Sequence, residues 1–358
     1  MRLTLIIIGL LATMLISCSS ESEQDKQYQD VEGEKVFNPT LLQVNIPENF
    51  PELTYDLNSN PPTKEGFALG KKLFYEGKLS STGIISCGEC HRQEFSFTHH
   101  KHIVSHGVNG LLGTRNAPPI QNMAFLNEFN WDGAANHLDM QPIIPITSEV
   151  EMNETFVNIL NKLAADNTYP PLFKAAFENG KIDTANMLKA LSQFVVTMIS
   201  ADSKYDKLIR NEGGIAFTAQ EKAGQKLFEN KCASCHAGTL FTDQSYRNNG
   251  LPLDPEYNDV GRKLVTGLAE DTRKFRVPSL RNVALTLPYM HDGRFKTLND
   301  VLDFYSAGVQ DSETLDPILK SNNNLGIALS QEEKEQLISF LNTLTDTNFI
   351  FDKRFAEF

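Results

Sequence analysis

The 358-residue chain has little positive charge and few cysteines. Its 33 lysines and arginines are outnumbered by 45 aspartates and glutamates, which gives a formal net charge of -12. Proteins that bind nucleic acid or anionic membrane surfaces need a net basic face, so this balance argues against both classes. The 23 phenylalanines and an apolar content of 41% are normal for a globular protein and disfavour a disordered chain. Length alone suggests about two domains.

Long hydrophobic runs are also scarce. The run at residues 3–16 follows Arg2 and is shorter than the roughly 20 residues of a transmembrane helix, so it has the form of a signal peptide. It leads into the sequence LISC, which resembles a bacterial lipobox, although a plain secretory segment is the alternative. We therefore predict a lipoprotein signal peptide at residues 1–17 and an acidic tether at residues 18–44. The protein would be an exported cell-envelope lipoprotein in the periplasm, attached to a membrane only through a lipid on Cys18.

The four remaining cysteines form two copies of the motif Cys-x-x-Cys-His. The two copies consist, in order, of Cys87, Cys90 and His91, and of Cys232, Cys235 and His236. Two thiols three residues apart on one turn can add to the vinyl groups of a haem, and the next residue then directs its imidazole to the iron. Disulfide bonds or a zinc site are the alternatives, but neither requires a histidine after each cysteine pair. The sequence predicts two covalently bound haem c groups with His91 and His236 as iron ligands.

The two haem motifs have matching surroundings. The sequence GKKLF at residues 70–74 precedes the first motif, and GQKLF at residues 224–228 precedes the second. Downstream, PPIQNMA and a later Asp-Gly pair in the first half correspond, at a constant offset, to PSLRNVA and a later Asp-Gly pair in the second half. This pattern indicates two copies of one haem domain, which we place at residues 45–205 and 206–358.

Helical signals dominate the secondary-structure pattern. The segments TAQE at residues 218–221 and SQEE at residues 330–333 are typical of capping boxes that open helices. An apolar stripe over residues 187–198 predicts the helix that closes the first half, and polar residues 202–214 are the expected junction between the halves. The predicted fold class is mainly α, with two cytochrome c-like haem domains related by duplication.

The order of the motifs resembles that of the bacterial dihaem cytochrome c peroxidases, with which the tryptophylquinone-forming dihaem enzyme of methylamine utilisation is grouped. The resemblance covers about residues 45–345. Besides the haem motifs, it rests on His106 with Gly107, RNAP at 115–118, WDG at 131–133, Gln141 through Pro145 to Glu151 with Met152, and RNVALTLPYMH at 281–291. It implies reduction of hydrogen peroxide by electrons from a small cytochrome or cupredoxin, and a homodimer is compatible with it.

The resemblance assigns two residues to the distal side of the first haem. Glu151 matches a carboxylate that moves a proton between the two peroxide oxygens, whereas its charge pattern alone would make it a solvated residue. His106 matches a distal iron ligand that is displaced when the enzyme is activated, and two residues are inserted between it and Arg115 relative to the family pattern. The same segment also contains three further histidines, His99, His100 and His102.

The only tryptophan, Trp131, matches an aromatic electron relay between the haems, and a large core residue is the alternative. The family usually continues the WDG motif with arginine, but this chain has Ala134. Tyr305 falls where peroxidases with a high-potential second haem carry an axial methionine, and in this respect the chain resembles the tryptophylquinone-forming enzyme. A phenolate ligand would lower the potential of that haem, but Tyr305 also fits an ordinary core position. Met290, the nearest methionine, has the wrong offset for a ligand.

The resemblance also implies a calcium site between the domains, formed by Asn116, Thr286 and Pro288. The principal functional prediction is a dihaem cytochrome c peroxidase that reduces hydrogen peroxide to water. Tyr305 favours a second hypothesis, a dihaem oxidase that uses peroxide-generated high-valent iron to oxidise a protein or organic substrate. A non-catalytic electron-transfer cytochrome is the third, and it would require no Glu151.

Overall fold

Helices dominate the computed structural model, which describes residues 37–321 and 324–357. The predicted signal peptide, Cys18 and most of the tether lie outside the described residues. The helices are α1 (Lys64–Phe74), α2 (Cys87–Cys90), α3 (Ile143–Thr147), α4 (Phe156–Ala165), α5 (Tyr169–Ala176), α6 (Thr184–Val195), α7 (Lys204–Ile209), α8 (Ala219–Lys231), α9 (Lys263–Thr266), α10 (Leu298–Asp303), α11 (Gln331–Asn342) and α12 (Thr347–Ile350). The prediction of a mainly α protein is confirmed.

Short strands add little to this framework. Strand β1 (Tyr246–Arg247) pairs antiparallel with β2 (Phe275–Arg276), and β3 (Lys320–Ser321) pairs antiparallel with β4 (Asn324–Leu325). In the part of the chain that is described, no helix has both the length and the apolar character needed to cross a membrane.

Local sequence signals explain where the principal helices of the second half begin. The Thr218 hydroxyl accepts a hydrogen bond from the backbone N–H of Glu221, and the Glu221 carboxylate accepts one from the backbone N–H of Thr218, so α8 opens with the predicted capping box. Ser330 and Glu333 do the same at the start of α11. Both predicted boxes are confirmed.

Each half is built on a pair of closely packed helices. In the first half α1 packs on α6, and in the second half α8 packs on α11. A Cβ atom added to Gly70 of α1 would lie 1.9 Å from the carbonyl oxygen of Ala190, and one added to Gly224 of α8 would lie 1.9 Å from that of Gln336. Only glycine allows the helices to approach this closely. The sequence duplication is therefore also a duplication of helix packing.

The C-terminal residues pack against the first half. Phe349 and Phe355, which follow α11, are almost fully buried in the core that also contains Phe97 and Phe194. The ring of Phe97 lies 5.6 Å from that of Phe349 and 6.4 Å from that of Phe355. Sequence order places these residues in the second half, but their side chains complete the core of the first.

The expected junction at residues 202–214 contains a buried ion pair. Helix α7 lies within this segment, and its Asp206 accepts hydrogen bonds from both terminal nitrogens of Arg281 at 2.8 and 2.9 Å. Both side chains are at most 1% exposed. Arg281 also donates to the carbonyl oxygens of Ser200 and Thr239, so it joins segments from the two halves. The junction is therefore packed around Asp206, whereas residues 211–214 at its end are exposed.

Candidate active site

The first Cys-x-x-Cys-His motif forms helix α2 and the residue that ends it. The imidazole Nδ1 of His91 lies 2.7 Å from the carbonyl oxygen of Phe97, and burial lowers the pKa of His91 to about 4. The imidazole is therefore neutral, and its Nε2 is the nitrogen left to bind a metal. Burial raises the pKa of Cys87 and of Cys90 to about 12. A partly buried pair of thiols beside an oriented imidazole fits covalent attachment of haem c.

The second motif repeats this arrangement. His236 Nδ1 lies 3.2 Å from the carbonyl oxygen of Phe241 and 3.1 Å from that of Pro278, and burial lowers its pKa. Burial also raises the pKa of Cys232 to about 12 and raises that of Cys235. The residues of this half therefore fit a second haem c, and Nε2 of His236 is the nitrogen that would bind its iron.

The alternative explanations of the cysteines find no support in the described residues. None of the four cysteines in residues 37–321 is joined in a disulfide bond. Across the described ranges, no group of three or more His, Cys, Asp or Glu side chains is placed to hold a metal ion, so a zinc site has no ligand set there.

Glu151 lies in a largely buried position next to the first motif. Its carboxylate oxygen Oε1 accepts a hydrogen bond from the hydroxyl of Ser105 at 3.0 Å. Burial raises the pKa of Glu151, and the hydrogen bond from Ser105 partly opposes that rise. The sequence does not predict a role for Ser105, because a single serine in a loop belongs to no recognisable motif. Its position directly before His106 was the only available signal.

The backbone holds Glu151 against the segment that contains His106. The N–H of Val108 donates to the carbonyl oxygen of Glu151 at 2.7 Å, and a Cβ added to Gly107 would lie 2.4 Å from the Cα atom of Glu151. On the other side, the Cys90 thiol lies 3.7 Å from the carbonyl oxygen of His106. Glu151, the His106 segment and the first haem-attachment site are therefore neighbours.

Three of the four histidines in this segment form a cluster. The Nε2 atom of His106 lies 3.2 Å from Nδ1 of His102, and the rings of His99 and His102 stack with their centroids 4.0 Å apart. Burial, together with the nearby His102 and His106, lowers the pKa of His99 to about 3. His100 instead stacks on Phe95, so it lies apart from the cluster. His106 is exposed and remains a predicted ligand.

Trp131 lies where the two halves meet. Its indole N–H donates to the carbonyl oxygen of Asn116 at 2.8 Å, and its own carbonyl oxygen accepts from the N–H of Arg276 at 2.7 Å. It also lines a narrow cavity together with Pro118 and Pro278, which occupy equivalent positions in the two halves. Trp131 thus contacts both halves, as a relay between haems would.

The position after the WDG motif, Ala134, lacks the arginine usual in the family. An arginine from the second half lies at the same turn: Nη1 of Arg262 donates to the carbonyl oxygen of Asp132 at 3.1 Å. The guanidinium of Arg262 also lies 3.6 Å from the ring centroid of Tyr246. The turn is therefore in contact with a cation from the second half.

Asn116, one of the predicted calcium ligands, is buried at the contact between the halves. Its backbone N–H donates to the carbonyl oxygen of His291 at 2.7 Å, which ties it to the segment that carries Thr286 and Pro288. Its side-chain amide donates to the carbonyl oxygens of His102 and Ile103, each at 3.1 Å. The calcium site remains a prediction.

Tyr305 lies on a π-helical turn, Phe304–Gly308, that continues α10. Burial raises the pKa of its phenol to about 12, and the nearby Cys235 and Cys232 add to this effect. The amide nitrogen Nδ2 of Asn249 lies 3.4 Å from the Tyr305 hydroxyl oxygen and 3.6 Å from the Met290 sulfur. The sequence offset of Met290 does not fit an axial ligand, yet its sulfur lies near the same amide as the phenol of Tyr305.

Comparison with known proteins identifies the family. Residues 64–214 match the model of di-haem cytochrome c peroxidase, and residues 221–345 match that of cytochrome c. The chain is 33% identical to the methylamine utilization protein MauG of Methylorubrum extorquens, over 82% of each protein. It is 32% identical to cytochrome c551 peroxidase of Pseudomonas aeruginosa, over 82% of this chain and 83% of that protein.

A solved structure gives the same result. The crystal structure of a MauG-like protein associated with microbial copper homeostasis is 32% identical to this chain and superposes with a TM-score of 0.79, over 88% of this chain and 99% of that one. The two cytochrome c-type domains imply two haem c groups, one in each half. Together with the duplicated haem-attachment geometry, these similarities show that the chain belongs to the di-haem cytochrome c peroxidase family, which includes the MauG proteins.

Proposed function

We propose that this protein is a cytochrome c peroxidase that reduces hydrogen peroxide to water. One peroxide molecule takes up two electrons and two protons and yields two molecules of water. The observation that carries the proposal is the buried carboxylate of Glu151, oriented by Ser105 beside the first haem-attachment site. The names of several relatives, including the cytochrome c551 peroxidase of Pseudomonas aeruginosa, agree with this activity.

Haem c held by Cys87, Cys90 and His91 would supply a redox-active iron at which peroxide is reduced. Glu151 then acts as the acid-base group. Its ionised form accepts the proton of the near peroxide oxygen and returns it to the far oxygen, so that the O–O bond breaks and the far oxygen leaves as water. The near oxygen becomes the second water by taking up the two electrons and the two protons. Burial raises the pKa of Glu151 toward neutral pH. A group whose pKa lies near the working pH can both accept and donate a proton efficiently.

The second half supplies the electrons in this proposal. A small cytochrome or cupredoxin would deliver them to the haem held by Cys232, Cys235 and His236. Trp131, which is hydrogen-bonded to backbone groups of both halves, provides an aromatic bridge between the two sites. The net charge of -12 favours a donor with a basic docking face. The donor would meet the protein in the periplasm, where a lipid on Cys18 anchors it.

Calcium would support the contact between the halves. Asn116 is buried at this contact and is hydrogen-bonded to the segment that carries Thr286 and Pro288. An amide side-chain oxygen and backbone carbonyl oxygens are suitable ligands for calcium, which prefers oxygen donors. Asn116, Thr286 and Pro288 therefore form the proposed calcium site.

A second candidate function is favoured by Tyr305. Its partly buried phenol lies near Cys232 and Cys235, which supports a role as a ligand of the second haem iron. A phenolate stabilises ferric iron, which disfavours rapid electron entry and favours an oxidase that uses peroxide to oxidise an organic or protein substrate. The similarity to the methylamine utilization protein agrees with this candidate.

The substitution Glu151→Gln tests the proposed peroxidase. The amide cannot accept the peroxide proton, so we expect steady-state peroxide turnover with a reduced cytochrome to fall by about 100-fold or more. Glu149→Gln is the matched control, because Glu149 is exposed two residues away and should leave turnover unchanged. Haem content and absorption spectra should be the same in both variants. Unchanged turnover in Glu151→Gln would contradict the assignment.

A further inference from the structure

A single asparagine side chain contacts Tyr305, the proposed axial ligand of the second haem, and the neighbouring Met290. The amide nitrogen of Asn249 lies 3.4 Å from the hydroxyl oxygen of Tyr305 and 3.6 Å from the sulfur of Met290. Within the described residues, no other side chain is hydrogen-bonded to the Tyr305 hydroxyl. Among the described side chains, Asn249 is therefore the one that is hydrogen-bonded to this phenol.

The orientation of the Asn249 amide is fixed by its other end. Its oxygen Oδ1 accepts a hydrogen bond from the backbone N–H of Leu251 at 3.1 Å. If the amide were rotated by half a turn, its NH₂ group would point at that N–H, and two donors would meet. The NH₂ group is therefore the end that points to Tyr305 and Met290.

The turn that carries Asn249 is itself held in place. The neighbouring Asn248 is 1% exposed, and its Oδ1 accepts from the N–H of Gly250 at 2.9 Å. Its amide donates to the hydroxyls of Ser312 at 3.0 Å and Thr314 at 2.8 Å. These contacts leave Asn249 little freedom to move away from the phenol.

We propose that Asn249 is a positioning residue that sets the electron-donating strength of Tyr305 toward the second haem. This inference rests on the proposed ligation of that haem by Tyr305. An N–H group that donates to a phenolate oxygen withdraws electron density from it, and the hydrogen bond is strengthened by the negative charge. The phenolate then stabilises ferric iron less, so the haem has a higher reduction potential than one with an unbonded phenolate.

The same amide also acts on Met290. Its second N–H points to the thioether sulfur, which is a weak acceptor, and this contact holds the sulfur beside the phenol. Loss of the amide shifts the reduction potential in opposite directions, depending on whether Tyr305 or Met290 then binds the iron. A phenolate that loses its donor binds ferric iron more strongly and lowers the potential, whereas replacement of the phenolate by a thioether raises it. The sign of the shift in reduction potential therefore identifies which side chain binds the iron in the variant.

The test is a redox titration of the second haem in the two-haem protein with Asn249→Leu and with Asn249→Asp. Leucine has a similar volume and no donor. Aspartate keeps an acceptor for Leu251 but offers an oxygen, not an N–H, to the phenolate. We expect a downward shift of the midpoint potential in both variants and a shift of the phenolate-to-iron absorption band to longer wavelength. Asn299, on α10, supplies the matched controls, Asn299→Leu and Asn299→Asp, which should leave both readouts unchanged.

Other results would overturn the inference. An unchanged potential in Asn249→Leu would show that the amide does not act on the ligand, and an upward shift would show that Met290 has replaced it. A wild-type potential in Asn249→Asp would assign Asn249 only the role of anchoring the turn. Tyr305→Phe separates these failures from failure of the ligand assignment, because an unaltered electron paramagnetic resonance signal of the second haem in that variant would refute ligation by Tyr305 itself.

Discussion

The Ser105 hydroxyl binds one oxygen of the Glu151 carboxylate and leaves the other without a hydrogen-bond partner among the described residues. That division suits a group that must exchange a proton with a small substrate. The bound oxygen fixes the orientation of the carboxylate, and in the proposed mechanism the other oxygen exchanges the proton with peroxide. In that mechanism Ser105 is a positioning residue that acts through Glu151.

Ser105→Ala should change the pH dependence of peroxide reduction. The hydrogen bond stabilises the ionised carboxylate, so its loss raises the pKa of Glu151 further above its usual range. The active, ionised form then requires a higher pH, and we expect the low-pH limb of the kcat/KM profile to move upward by about one pH unit. Ser105→Thr, which keeps the hydroxyl, should restore the wild-type profile. An identical profile in Ser105→Ala would contradict this role.

The residues of the site differ in how far the sequence can predict them. The cysteines and proximal histidines form a contiguous motif, so their chemistry is visible in the sequence. Glu151 was identified only through the resemblance, since its charge pattern alone indicates a solvated residue. Ser105 and Asn249 could not be predicted, because their roles depend on contacts between segments 46 and 56 residues apart in the chain.

Among the secondary-structure elements, the helix pairs of the two halves share a close contact at a glycine. Gly70 and Gly224 occupy equivalent positions on α1 and α8, and each lies against a carbonyl oxygen of the partner helix. Helix starts were predictable because capping boxes are local. The path of the chain after α11 was not, because nothing local in residues 347–355 indicates that they return to the first half.

Gly70→Ala and Gly224→Ala should each destabilise the protein. The added methyl group would overlap the carbonyl oxygen of Ala190 or of Gln336, so the helices must separate, at a cost of about 1–3 kcal/mol. Thermal unfolding followed by circular dichroism would show this as a lower Tm. Lys226→Ala, at an exposed position of α8, is the control and should change stability by no more than about 0.5 kcal/mol. Wild-type Tm values in both glycine variants would contradict the predicted close packing.

Across the described part of the molecule, the two halves are joined by apolar packing and by polar contacts. Phe349 and Phe355 lie in the core of the first half, although they follow the last long helix of the second. The ion pair between Arg115 and Asp259 and the hydrogen bond from the buried Arg281 to the carbonyl oxygen of Ser200 add polar links between the halves. Such contacts would keep the two haem sites in a fixed arrangement, as the proposed transfer of electrons between them requires.

Phe355→Ala tests the role of the C-terminal segment. Phe355 is 1% exposed and its ring contacts three other phenylalanines, so we expect the free energy of unfolding in urea to fall by about 3–5 kcal/mol. Phe351→Ala is the matched control, because Phe351 is 73% exposed. It should change the free energy of unfolding by no more than about 0.5 kcal/mol. Equal effects of the two substitutions would show that the segment does not complete the core.

The proposed activity is tested most directly by mixing the two-haem protein with hydrogen peroxide and a reduced small cytochrome, and following cytochrome oxidation and peroxide loss together. We expect continuous turnover in which two cytochrome molecules are oxidised for each peroxide consumed. Glu151→Gln should abolish most of this turnover while both haems remain attached. Peroxide consumption without cytochrome oxidation would favour the oxidase, and the absence of any peroxide consumption would contradict the proposed peroxidase activity.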